Sequence, residues 1–564
     1  MVSISKRKLK NIFWIIIAFF LSECANQLPP DGGEVDTISP KIIELYPEDG
    51  TTNFKDDYFE LGFSEYVEKR SIKEAIFISP AVDGELELDW SGKYVRVYLP
   101  GNLKQNVTYV VTIGTDVQDY NNKNNMSEAF SFTFSSGPEI DKRMITGKVY
   151  DEKPQGIMLF GYLLKGEEPN PLVRKPDYIS QTGKDGNYKL AGLAAGSYRV
   201  FAVRDEFRDL LYQSDQDQVG IPYQDVELEI SDTLYSGLNF ILTKIDTVKP
   251  RLLSASMTDR SHILVNFSEE LDRKNIKPIN FYLFDSTANK RAQIKYAFKG
   301  NTKASEMGLV PNEILPIENS VYLFVDSIKD KSGNIYYNDF AQLVLSNRVD
   351  TSKTELFKMN PRDGSKEVDF QSPTFTFEFN DAFDAVNARE GITFSDTLKK
   401  NILFEVEFLD DASFIVTPLK RLEMSKDYYI KIDLSRLKDA SGNYYDSVYQ
   451  FDFKTITGIE FTGVTGKLIG FDENKNPKLV LKNLEKEKLE YTTPVAKSGL
   501  FNFDRIIPGK YSLFSYYDSD SSNTYSFGNV FPFKKSEEFS FHPDTLNLRA
   551  RWTETDMKFD LRMK

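Results

Sequence analysis

The stretch YYDSDSSNTY, residues 516–525, places oxygen-bearing side chains at alternate positions: Asp518, Asp520, Ser522 and Thr524. Calcium is held by about six to eight oxygens, and loops that offer one at every second residue are one way of supplying them. This stretch lacks the central glycine and the closing bidentate glutamate of an EF-hand, so it reads either as a calcium loop or as a polar hairpin tip. Glu65 with Glu68, and Glu269 with Glu270, stand close enough in sequence to be imagined as acid and base. Each pair, however, falls in a strand-to-loop passage that the chain repeats, where solvated turn residues are expected. GKDGN (183–187) is read as a turn first and a metal site second. The chain has two histidines, His262 and His542, and one cysteine, Cys24. No nucleophile, base and orienter come together in this set, so the expectation is a non-enzyme with no cofactor and no catalytic residue.

Cys24 has a different use. Lys6, Arg7, Lys8 and Lys10 precede an unbroken apolar run over residues 12–21, IFWIIIAFFL. A positive segment followed by a short apolar one is the layout of a secretory signal peptide, here residues 1–23. The run is too short for the roughly 20 apolar residues that span a membrane. A lone thiol cannot close a disulfide within the chain, and the Pro/Gly/Asp-rich QLPPDGGEVD that follows suits a flexible tether over residues 24–35. LSEC, ending at Cys24, resembles the lipobox of bacterial lipoproteins, with Glu23 where that family normally has a small residue. The resemblance implies that Cys24 becomes the first mature residue and carries acyl chains, the membrane partner of this protein; several chains together give stable anchoring.

The elements that would position any site are set by repeats. At 564 residues the chain exceeds a single core and divides into domains. Its net charge of −14 repels nucleic acid, which is excluded as a direct partner. Three segments open alike: DTISPKIIELYPEDGTTN (36–53), DTVKPRLLSASMTDRSHILVNFSEELDRKNI (246–276) and DTSKTELFKMNPRDGSKEVDFQSPTFTFEFNDAFD (350–384). HILVNFSE and TFTFEFND alternate apolar with polar residues, the period-2 signature of half-buried strands. The later two segments also close alike, with Lys-Asp, then Ser-Gly-Asn, then aromatics; the first keeps Asp119 without the Gly-Asn. Gly333 and Gly442 are expected to supply positive φ in that turn. About 100 residues of short strands with regular turns is the arithmetic of an immunoglobulin-like sandwich.

These segments resemble the bacterial Ig-like domains of surface-layer proteins, through Phe63-Ser64-Glu65 and Phe267-Ser268-Glu269 and through the turns Asp330 to Asn334 and Asp439 to Asn443. Two other segments share a different grammar. ITGKVYDEKPQGIMLFGYLL with TGKDGNYKLAGLAAGSYRVFAVRDE, and VTGKLIGFDENKNPKLVLKNL with KSGLFNFDRIIPGKYSLFSYYDSD, each carry alternating large residues (Tyr188 and Leu190; Phe501 and Phe503), a turn glycine (Gly196; Gly509) and a tyrosine (Tyr198; Tyr511). They resemble the transthyretin-like, carboxypeptidase-regulatory-like accessory sandwich. The expected class is all-β, a tandem array of sandwiches after the leader and tether. Its modules are Ig-like 36–138, transthyretin-like 139–245, Ig-like 246–349, Ig-like 350–457 and transthyretin-like 458–564. The combination resembles the Ig-domain lipoproteins of Bacteroidota. That resemblance implies a surface-exposed, outer-membrane scaffold that displays binding surfaces or contacts envelope proteins as an assembly subunit. The alternative is a cell-surface adhesin or glycan-binding protein, for which exposed aromatics such as Trp90 or Trp552 would matter.

Overall fold

The computed structural model describes residues 36–562 other than 83, 102, 232, 459, 487 and 488. The expected signal peptide, the expected tether and Cys24 lie outside the described residues. Nearly every regular element is a strand, as the period-2 segments dictate. Among the described residues no helix is long and apolar enough to cross a membrane.

The chain forms two compact units. One comprises residues up to 165 with 176–198 and 226–238; the other comprises 166–175, 199–225 and 239 onward.

In the first unit, the first repeat is a two-layer sandwich. Strands Ile42–Tyr46, Tyr58–Phe63, Tyr94–Tyr98 and Glu87–Ser91 hydrogen-bond in that order, and Ile76–Ser79, Thr108–Ile113 and Phe130–Ser135 form the other layer. Alternate residues of each layer point inward, so Phe59, Leu61, Val95 and Val97 meet Val111, Ile113, Phe132 and Phe134 in one buried core. The same unit holds strand Arg143–Tyr150, which pairs with Asn187–Leu193 antiparallel and with Leu234–Ser236 in parallel. Gln181, from strand Tyr178–Gln181, accepts from the Thr115 N–H at 2.6 Å and donates to Asp116, fastening this segment to the first repeat.

In the second unit the two remaining repeats differ. Residues 246–349 close into a barrel in the order Leu252–Met257, Ile263–Phe267, Glu306–Pro311, Lys290–Phe298, Phe281–Asp285, Val321–Lys329 and Ile335–Val344. The expectation for this segment is an immunoglobulin-like sandwich. Closure comes from Lys290–Phe298, whose first half pairs with Phe281–Asp285 and whose second half, after a register shift at Ile294, pairs with Glu306–Pro311. One long bulged strand thus joins the two layers on one side, and the parallel pairing of Leu252–Met257 with Ile335–Val344 closes the other, which removes the free edges. In the third repeat the corresponding stretch is interrupted by a turn, so Ile392–Asp396 and Phe404–Asp410 fall in different four-stranded sheets and the sandwich stays open. Its core is aromatic: Phe375, Phe377, Phe414, Phe451 and Phe453 are buried, with Phe375 and Phe453 ring centres 4.4 Å apart.

The last segment packs Leu500–Ile506, Thr462–Ile469 and Thr553–Asp560 as one sheet, and Glu490–Pro494, Pro477–Asn483, Gly509–Tyr517 and Phe539–Phe541 as another. Tyr511 donates to the Ile507 carbonyl at 2.6 Å, and in the first unit Tyr198 donates to the Ala194 carbonyl at 2.9 Å. The tyrosine shared by the two segments therefore serves the same corner in both.

Candidate functional site

The turn acid of each repeat accepts hydrogen bonds from its own loop. Asp330 takes the Asn334 N–H and side-chain amide, both at 2.8 Å; Asp439 does the same with Asn443, at 2.7 and 2.9 Å. Gly333 and Gly442 have φ of +95° and +86°, as the sequence requires. The asparagine then reaches back to the opening aspartate: Asn334 donates to the Asp246 carbonyl at 3.0 Å, and Asn443 to the Asp350 carboxylate at 3.2 Å. In the first repeat Asn124 fills this role, donating to the Asp36 carbonyl at 2.9 Å while Asp119 accepts from the Asn124 N–H. The turn lacking Gly-Asn keeps the same chemistry one residue later in the loop.

This wiring gathers three acids that lie far apart in sequence. Carboxylate oxygens of Asp246, Glu269 and Asp330 lie within 4.8 Å of one another, as do those of Asp350, Asp381 and Asp439. Burial and the charges of Asp246 and Asp330 push the Glu269 carboxyl up to about 7. In the first repeat burial, then Asp119 and Asp36, raise Glu65. The acids adjacent in sequence do not pair with one another: Glu270 meets Lys331 at 2.7 Å and Glu68 meets Lys123 at 2.8 Å. An acid/base couple built on Glu65–Glu68 or Glu269–Glu270 is not what the fold assembles.

Between the second and third repeats the charges cross the boundary. Arg273 Nε is 2.6 Å from Asp410, its Nη1 2.8 Å from Glu378, and its Nη2 donates to Ser413 Oγ at 2.9 Å. Asp410 also accepts from the Lys299 N–H, and Asp411 accepts from the Ala297 N–H at 2.8 Å. Beside them Phe298 and Val310 bury against Ala382 and Ala412. His262 enters the third repeat's acid group, its Nδ1 3.0 Å from Asp259 and its Nε2 3.1 Å from Asp381. Burial disfavours the charged ring, but Asp259 and Asp381 outweigh it and raise His262 to about 10. The imidazolium sits as a fixed cation among carboxylates, which suits a structural joint and not a base poised near neutrality.

The loop after strand Gly509–Tyr517 carries the sequence-predicted calcium residues. Asp518 and Asp520 are brought together, and Glu537, from across the loop, joins them with all three carboxylates within 4.8 Å. Ser522 and Thr524 are exposed and bond to each other, with Ser522 Oγ donating to the Thr524 carbonyl at 2.8 Å. Glu537 lies seventeen positions beyond Asp520, so no short-range spacing pointed to it. His542 bonds locally to Asp544. Trp90 is half-buried against the first core, and Trp552 is 70% exposed.

The bacterial Ig-like domain family matches residues 36–136 and 350–455. Among solved structures, the chain is similar to the N-terminal part of the bacterial S-layer protein SbsC, at 12% identity over 36% of this chain and 44% of that one, with a TM-score of 0.17. It thus spans 44% of that relative's length. Domains 1–6 of SbsC align at 9% identity over 90% of this chain and 67% of that one, TM-score 0.17. A tetra-tandem repeat from the extending region of a large adhesion protein aligns at 12% over 78% and 95%, TM-score 0.15. No curated protein matches the chain. Two segments, 36–136 and 350–455, thus match the bacterial Ig-like domain family within a tandem β-sandwich chain.

Proposed function

We propose that this chain is a non-enzymatic scaffold of the cell envelope: an outer-membrane lipoprotein, held by acyl chains on Cys24, whose Ig-like and transthyretin-like modules contact other envelope proteins as an assembly subunit. The observation that carries the reading is the joint between the second and third repeats. There the ionisable side chains best suited to chemistry, His262 and Arg273 with Asp259, Asp381, Glu378 and Asp410, are tied to one another across a module boundary. Charge used in this way serves the assembly of modules, and the signal segment with Cys24 supplies the address and the anchor.

The test is a pull-down of tagged protein from gently solubilised outer membranes, read by mass spectrometry, with a Cys24→Ser control. Recovery of an integral barrel or other envelope subunit in fixed ratio, lost in the control, is expected. Recovery of the chain alone would count against an assembly subunit. Binding on a glycan array in that case would favour the adhesin reading, with Trp552 the first aromatic to change.

A further inference from the structure

Two buried oxygens near the Asp518 loop have no hydrogen-bond partner. Asp518 is 3% exposed, and its Oδ1 is unpartnered while its Oδ2 accepts from Asn476 at 3.2 Å and lies 3.8 Å from Lys478 Nζ. Tyr516 is 2% exposed, and its hydroxyl is also unpartnered. An unmade hydrogen bond at a buried carboxylate costs a large part of that oxygen's hydration, so native structures rarely leave one without a compensating partner.

The neighbouring carboxylates are oriented and still have lone pairs free. Glu537 Oε1 accepts from the Ser519 N–H at 2.6 Å and Oε2 from the Ser526 N–H at 3.0 Å. Asp520 accepts from the Ser522 N–H and from Ser526 Oγ, with Lys534 Nζ 4.0 Å away on the rim. An ionised carboxylate offers about four acceptor sites, so these bonds fix the groups without exhausting them. Ligands about 2.4 Å from a calcium ion cannot be more than about 4.8 Å apart. The Asp518, Asp520 and Glu537 oxygens all meet that limit.

The other segment of the same grammar also leaves an aspartate oxygen open at the matching strand end. Asp205 directly follows strand Gly196–Arg204, as Asp518 follows Gly509–Tyr517. Asp205 Oδ1 and the buried Tyr212 hydroxyl are again unpartnered.

We propose that Asp518, Asp520 and Glu537 form a calcium-binding site, with Asp518 Oδ1 the buried ligand. Glu537 supplies the third carboxylate, whereas Ser522 and Thr524 stay outside the coordination. Magnesium, which demands near-ideal octahedral geometry at shorter distances and dehydrates reluctantly, fits a loop-borne site of this kind poorly.

The full chain, stripped with a chelator, is titrated with calcium by calorimetry and with terbium by luminescence excited through the tyrosines. Wild-type protein is expected to take up calcium saturably. Glu537→Gln and Asp518→Asn should each weaken one equivalent by more than about tenfold. Ser522→Ala with Thr524→Ala should leave it unchanged, and excess magnesium should not displace it. Far-UV circular dichroism establishes that each variant folds. Asp518→Asn keeps the side-chain shape and one oxygen to accept from Asn476 while removing the charge. No saturable uptake, or uptake that a folded Glu537→Gln variant retains in full, would overturn the assignment. So would loss of that equivalent in the Ser522/Thr524 variant with Glu537→Gln unaffected.

Discussion

His262 carries its charge at a cost in hydration that Asp259 and Asp381 offset, and the balance gives a defined pH signature. Its folded pKa, about 10, lies above the unfolded value of about 6.5. The stabilisation it contributes is therefore complete below about pH 6.5 and is lost as pH rises through about 10. Asp259, Asp350 and Asp381 are the acids that face the ring. His262→Ala should cost about 3–5 kcal/mol at pH 6, because it leaves buried carboxylates unpaired, and the difference from wild type should shrink towards pH 10. Denaturant titrations at pH 6, 8 and 10 measure this; an equal difference at all three would refute it. Glu269 behaves in the opposite sense. Its folded pKa, raised to about 7, makes the folded state hold a proton that the unfolded state releases, so stability falls as pH rises from about 4.5 through 7. Glu269→Gln should remove that slope and stabilise the protein above pH 7 by less than about 1 kcal/mol, since the side chain is partly solvated.

At the scale of elements, the turns are where sequence reading was most secure. Gly442 has φ of +86° and open space where a Cβ would stand, so Gly442→Ala should cost only the left-handed backbone strain, about 1–2 kcal/mol. Gly442→Asn should recover part of it; equal stability of Gly442→Ala and wild type by thermal unfolding would contradict the assignment. Alternation in TFTFEFND identified its strand because each buried Phe of that stretch faces an aromatic core. Closure of the second repeat was not legible. It depends on which partner each half of Lys290–Phe298 takes, and alternation along a strand does not encode its neighbours. The acid groups were hidden for the same reason. Asp246, Glu269 and Asp330 each looked like a turn or strand-end residue, and only the folded register brings them together. Glu537 was missed because it returns to the Asp518 loop from a separate strand end.

For the molecule as a whole, the charged groups of the repeats bind module to module. The second and third repeats are joined by Arg273, His262, the Ala297–Asp411 bond and a small apolar patch. Interfaces of this kind couple the unfolding of adjacent repeats, much as nearest-neighbour terms do in other tandem arrays. Truncating Arg273 leaves the buried Asp410 without its cation, at about 3–5 kcal/mol, while Glu378 keeps Lys358 at 2.8 Å. The most direct measurement is differential scanning calorimetry of the full chain with the Arg273→Ala/His262→Gln double variant beside it. One shared transition for the two repeats is expected in the wild type, and two separated transitions in the double variant, the lower moved down by several degrees. Identical thermograms for the two proteins would mean that the buried charges do not join the repeats, and the scaffold reading would lose its structural basis.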